Sequence, residues 1–155
     1  MCNPNLPQDV FEGIVERDFF KLICGNKLGE GISREVYECA FDPTLVVKME
    51  NRAGSFCNVE EWELWISARG CYQEHWLFPC VDISPSGIFL LQKKTRRISQ
   101  KELPKFIPVW LTDAHEDNWG WLDGRIVCHD YGYNKSREVG ISKKVKRNTM
   151  FDFIT

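Results

Sequence analysis

Between Pro7 and Ile23 the apolar residues Val10, Phe11, Ile14, Val15, Phe19 and Leu22 recur at intervals of three and four. That spacing lines one face of an α-helix, and Pro7 suits its first turn. The period then shortens. LGEGIS, EVYECAF and TLVVKME are short runs in which β-branched and apolar residues outnumber turn formers, and they predict three antiparallel strands. NRAGSF reads as a loop and Asn58 as the N-cap of a helix, VEEWELWISAR, with Val59, Trp62, Trp65 and Ile66 on one face and Gly70 at its end. CVDIS and GIFLLQK flank a turn from Ser84 to Gly87 and predict two more strands. Residues 1–92 thus read as an α+β unit of five strands and two helices.

Beyond residue 92 the pattern is sparser. Ser99 and Glu102 have the spacing of a capping box, but Pro104 and Pro108 leave room for only a short helix. GWL and RIVCHD flank the dipeptide Asp123-Gly124, a strong signal for a two-residue hairpin turn. The predicted hairpin carries Asn118 near one end and Asp130 at the other. No internal repeat or low-complexity tract interrupts the chain.

Composition narrows the class. A chain of 155 residues, 43% hydrophobic and 13% aromatic, suits one compact domain with a core of its own and lies far from disordered compositions. Seven cysteines, odd in number and never spaced as CxxC, argue against a zinc ribbon or a secreted disulfide framework and for reduced thiols in a cytoplasm. The start MCNPNLPQDVFEG has neither the basic residues nor the apolar run of a signal peptide, and no 18-residue apolar stretch is present to span a bilayer. Charge is uneven: residues 1–92 hold 7 basic and 14 acidic residues, residues 93–155 hold 13 and 8. KKTRR and KKVKR raise nucleic acid as a partner, but a pI near 5.9 offers a polyanion no global attraction, so nucleic acid is set aside.

Five polar residues then carry the chemistry. Lys48 ends the strand TLVVK; pointed inward it would need an anion, whereas on a sheet edge it would simply meet water. Glu61 stands three residues after Asn58 and four before Trp65, with Glu60 and Glu63 as alternatives that spacing alone leaves open. In LTDAHEDN, Asp113 suits a carboxylate that orients an acceptor hydroxyl and takes its proton, and Asn118 offers Mg²⁺ a neutral oxygen. Asp130, heading DYG, adds a charged metal ligand. Gly29 and Gly31, followed by Val36, would let backbone N–H groups approach phosphate oxygens, although a plain hairpin turn uses the same glycines.

Taken in order, GEGISREV, VVK, the Asn58–Trp65 helix, DAHEDN and DYG resemble the protein-kinase-like superfamily across residues 25–132. The loop, with His115 two residues after Asp113, is similar to the aminoglycoside and choline kinase branch and to compact bacterial or phage kinase-like proteins. The resemblance implies a five-stranded N-lobe with an αC-type helix in residues 1–92, and a truncated C-lobe in 93–155 carrying the catalytic loop and hairpin. It implies ATP and Mg²⁺ as cofactors, with Gly29, Gly31, Val36 and Lys48 at the nucleotide. Asn118 and Asp130 would hold the metal, and Asp113, Lys48 and Glu61 would be catalytic.

There are departures. Arg34 replaces the third glycine of GxGxxG, LTD replaces HRD, and only 20 residues separate Gln92 from Asp113 while 25 follow Asp130. No ordinary helical C-lobe fits in that length. Two functions follow as expectations: a minimal ATP-dependent kinase acting on a protein, or a pseudokinase that engages a partner with or without nucleotide. Either would use a protein partner or a second copy of the chain to complete the truncated lobe.

Overall fold

IVERDFFKLI forms helix α1 (Ile14–Ile23) in a computed structural model that describes residues 14–150. The expected helical residues before Ile14 lie outside the described ones. Phe20 and Ile23 face the core, Phe20 meeting Tyr37 edge-on at 5.2 Å, while Val15 and Leu22 are exposed.

Five strands follow: β1 (Cys24–Glu30), β2 (Arg34–Cys39), β3 (Leu45–Glu50), β4 (Cys80–Ile83) and β5 (Phe89–Lys93). They form one antiparallel sheet in the order β1-β2-β3-β5-β4; five antiparallel strands are expected from the sequence, but not their order, and β1 begins at Cys24, ahead of the run LGEGIS that announces it. Central β3 is buried along its whole length. Its Val47 and Met49 join Ile23, Tyr37, Cys39, Leu45 and Phe89 in one apolar cluster, and burial of such side chains contributes about 1.5–3 kcal/mol each. The turn into β5 closes through Gly87 N–H to Ser84 O at 2.8 Å, with Gly87 at φ 75°.

Helix α2 (Cys57–Ala68) lies between β3 and β4 in sequence. Two expectations fail here. Asn58 is inside the first turn, not an N-cap. The buried stripe is Cys57, Asn58, Glu61, Leu64, Trp65 and Ala68, while Ile66 is exposed. Two polar residues belong to that stripe, so apolar periodicity placed the face about one position away.

A 3₁₀ turn at Tyr72–Trp76, not anticipated in the sequence, precedes β4. Past β5 come β6 (Arg96–Arg97), β7 (Phe106–Pro108), β8 (Trp119–Leu122), β9 (Arg125–Cys128), the single helical turn α3 (Ser136–Val139) and β10 (Val145–Arg147). Strands β6-β8-β9 form a three-stranded sheet and β7 pairs with β10, all antiparallel. The Ser99–Glu102 capping box is present. Asp123 and Gly124 both have positive φ, 48° and 81°, as a type I′ hairpin turn requires.

The described chain divides into two compact units. One holds the residues up to Val59 together with Cys80–Lys94; the other holds Glu60–Pro79 together with the residues from Thr95 onward. In the second, Phe78, Ile107, Trp110, Leu111, Trp119 and Tyr131 are fully buried.

Candidate functional site

In the first unit Lys48 sits at the middle of the sheet, between Val36 on β2 and Leu90 on β5. It is only 5% exposed, which removes the reading of a solvated edge lysine. Gly29 lies opposite the half-buried Val36, and Gly31 closes the β1–β2 turn through its N–H to Arg34 O at 2.8 Å. Neither glycine has a positive φ. A Cβ at Gly29 would meet nothing within 4 Å, and one at Gly31 would come no nearer than 3.7 Å to Arg34 O. The turn therefore needs glycine at neither position for its own conformation or packing.

Sequence reasoning missed the group behind this turn. Arg34, which replaces the third glycine, is buried and donates from Nη1 to Asn58 Oδ1 at 3.3 Å. Asn58 donates from Nδ2 to the carbonyls of Lys48 at 3.1 Å and Ile88 at 2.7 Å. Its own N–H goes to Glu50 Oε1 at 2.5 Å, so the carboxylate at the start of α2 comes from β3, where it also favours the helix dipole. The hint in the sequence was two charged residues, Arg34 and Glu50, at strand positions; they prove to be directly paired across β2 and β3.

In the second unit the three glutamates of α2 separate. Glu61 has no exposed surface, and its Oε2 accepts the N–H of Tyr131, the middle residue of DYG, at 3.2 Å. Tyr131 in turn donates its hydroxyl to Phe78 O at 2.7 Å. Glu60 and Glu63 instead face Arg137, with Arg137 Nη2 2.9 Å from Glu60 and Nε 3.0 Å from the same carboxylate.

The loop bearing Asp113 is fastened at its base. Thr112 donates its hydroxyl to Tyr133 O at 2.7 Å, Lys135 N–H bonds Trp110 O at 2.8 Å, and Leu111 bridges Asn134. Asp113 itself is exposed and, among the described residues, accepts only a long contact, 3.4 Å, from His115 N–H. His115 pairs with the neighbouring Glu116 at 3.3 Å.

At the open end of the β8–β9 hairpin, Asn118 O accepts two N–H groups, from His129 at 2.8 Å and Asp130 at 3.4 Å. Asn118 and Asp130 are thereby brought side by side, both half-buried. His129 braces this end, its Nδ1 2.7 Å from Thr95 Oγ1 and its Nε2 2.6 Å from Asp117 O. A neutral ring donating from Nε2 to the carbonyl and accepting the threonine hydroxyl at Nδ1 satisfies both partners. Thr95 also explains Gly120, where a Cβ would lie 2.4 Å from Thr95 Cβ.

No group of three His, Cys, Asp or Glu side chains among the described residues could hold a metal unaided. Asn118 and Asp130 offer one neutral and one anionic oxygen donor, which fits Mg²⁺ that takes its remaining ligands from phosphates and water. The chemistry at hand is thus an exposed carboxylate five residues ahead of the first of two oxygen donors in one unit, and a buried lysine on the same sheet as an uncrowded glycine turn in the other.

No protein-family model and no curated protein matches the sequence. Among solved structures, the chain is similar to the streptomycin-ATP-APH(2")-IIa ternary complex, with 20% sequence identity and a TM-score of 0.41. The likeness covers 66% of this chain, which spans about a third, 33%, of that one.

Proposed function

We propose that the chain is an ATP- and Mg²⁺-dependent phosphotransferase of the protein-kinase-like kind that acts on a protein. ATP supplies the phosphoryl group and Mg²⁺ neutralises charge on its phosphates. Lys48 binds phosphate oxygens, with the glycine turn at Gly29 and Gly31 and the Val36 side chain also at the nucleotide. Glu61 positions the DYG segment through the Tyr131 N–H, Asn118 and Asp130 hold the metal, and Asp113 orients the acceptor hydroxyl and takes its proton as the new O–P bond forms and ADP departs. The observation that carries this reading is the meeting of Asn118 and Asp130 at one hairpin end, with the exposed Asp113 just upstream on a loop anchored at its base.

The test is nucleotide binding and transfer in four proteins. ATP with Mg²⁺ at 100 times its Kd should stabilise the wild type by about 2.7 kcal/mol; Lys48→Ala and Asp130→Ala should lose most of that. Asp113→Ala should retain it yet transfer no phosphate. Full transfer by Asp113→Ala would refute the assignment.

A second reading is favoured by the brevity of α3, four residues, where a kinase-like chain would need a helical platform for its acceptor. In that reading the protein is a pseudokinase, a module that binds a partner. Stabilisation by ATP without transfer to any protein would select a nucleotide-binding form of it, and no stabilisation a form without nucleotide.

A further inference from the structure

The segment Phe106–Thr112, which leads into Asp113, is bordered on both sides by lysines. On one side β10 pairs with β7, placing Lys146 opposite Ile107, and Lys144 O accepts Val109 N–H at 3.1 Å. On the other, Lys135 N–H bonds Trp110 O. Between them Trp110 Nε1 donates to Ser142 O at 3.1 Å, so Lys143 is next in chain to a residue fixed on the same segment. Lys143 reaches outward, its Nζ 5.2 Å from the centre of the exposed Tyr72 ring.

None of Lys135, Lys143, Lys144 and Lys146 has an ion pair with a carboxylate among the described residues. Lys135, Lys143 and Lys144 are exposed. Burial first, and the charge of Lys135 second, hold the Lys146 ammonium below its ordinary pKa. Crowding like charges without counter-ions is unfavourable, and ordinary surfaces intersperse the two signs. Lysines on a short edge strand discourage edge pairing, which accounts for Lys146 but not for Lys135 or Lys143. Lys146 shares its side of the β7–β10 ladder with its partner Ile107, while the exposed Phe106 and Val145 share the other, so the side that bears Lys146 is set by its lysines.

We infer that this face, beside Asp113, docks an acidic segment of a partner protein. Calling that segment the phosphoacceptor rests on the phosphotransferase reading; its docking does not. A short protein segment fits better than nucleic acid because the basic stretch is local, while the chain as a whole, with a net charge of -2, offers a long polyanion no general attraction. In the transfer step a serine or threonine hydroxyl of the segment gains the γ-phosphoryl group of ATP, its proton passes to Asp113, and ADP leaves.

The test is fluorescence anisotropy without nucleotide, using a labelled 20-residue peptide in which one serine is flanked by glutamates and aspartates. Lys135→Gln/Lys146→Gln should weaken its binding about tenfold, about 1.4 kcal/mol, and added salt should weaken the wild type. Lys21→Gln/Lys93→Gln, which removes the same charge elsewhere, should leave binding intact and controls for net charge. Equal affinity in the Lys135/Lys146 variant, absence of binding by the wild type, or tighter binding of a single-stranded oligonucleotide of equal charge would each overturn the inference. Lysine-dependent docking with no phosphate transferred to the peptide would count against the phosphotransferase reading and leave the docking face standing.

Discussion

Glu61 is a carboxylate with no exposed surface whose oxygen accepts the Tyr131 N–H, so its replacement acts first on stability. Glu61→Ala leaves a buried N–H without its acceptor, a loss of about 1–3 kcal/mol, whereas Glu60→Ala removes only an exposed contact to Arg137, worth about 0–1 kcal/mol. Urea unfolding of the two variants checks the order, and a costlier Glu60→Ala would reverse the assignment of the inward-facing glutamate. Glycine gives a second contrast of this kind. Open space around a Cβ at Gly29 means that Gly29→Ala should change stability by no more than about 0.5 kcal/mol. If the uncrowded turn is there for phosphates, the same variant should bind ATP more weakly. Gly120→Ala, by contrast, drives a Cβ onto Thr95 Cβ and should destabilise by about 1–3 kcal/mol through overpacking. Pairing it with Thr95→Ala should not rescue it, because the clashing Thr95 Cβ remains; only Thr95→Gly should. Rescue by Thr95→Ala would contradict the packing.

Within the second unit, the capping box links two elements through one side chain. Glu102 accepts from Ser99 N–H at 2.7 Å and from Trp121 Nε1 at 2.9 Å, and these bonds, Ser99 N–H first and Trp121 next, hold its carboxyl below the usual carboxylate range. A depressed folded pKa contributes stability above the unfolded value near 4.5, and that contribution disappears as pH falls through the folded value. Glu102→Gln should therefore be less stable than wild type at pH 7, with the gap closing as the pH is lowered below 4.5; thermal melts across that range measure it, and a gap independent of pH would show that the carboxylate charge plays no part. This box was legible in the sequence, as were the five strands and the Asp123-Gly124 turn, because each is written in neighbouring residues. The β7–β10 ladder was not, since it joins three-residue strands almost forty positions apart and neither is long enough to show a period. Asn58 misled for a related reason: its residue type suits a cap, but Glu50 from β3 takes the Asn58 N–H and Asn58 turns to two carbonyls. The candidate site divides in the same way. Residue types and order singled out Lys48, Asp113, Asn118 and Asp130, while the bracing by Thr95, His129 and Arg34 depends on contacts between distant segments and has no local signature.

The cysteines sample the whole molecule. Six of the seven lie among the described residues and none of these is in a disulfide: Cys71 is exposed, Cys24 half-buried, and Cys39, Cys57, Cys80 and Cys128 are buried. Partial exposure does not make Cys24 reactive. Burial, then the neighbouring Cys39 and Glu35, push its thiol up to about 12, so at pH 8 only about one part in ten thousand is the attacking thiolate. In a Cys2→Ser background, an aromatic disulfide reagent at pH 8 should accordingly titrate one thiol quickly, lost in Cys71→Ser, with Cys24 slow for want of thiolate and the four buried thiols reacting only as the structure opens. Denaturant should expose all six at once. Two or more fast equivalents would mean that the packing around Cys24 or the buried thiols is looser than described. The slow phase also reports on ligand without relying on turnover. Where reclosing outpaces modification, the rate follows the population of open molecules, and a ligand bound only to the closed form at 100 times its Kd lowers that population about a hundredfold. ATP with Mg²⁺ should therefore slow the four buried thiols by about that factor and leave Cys71 unchanged, and Asp130→Ala should abolish the protection. Slow-phase rates indifferent to ATP at every concentration would remove nucleotide binding, and with it the phosphotransferase, from this fold.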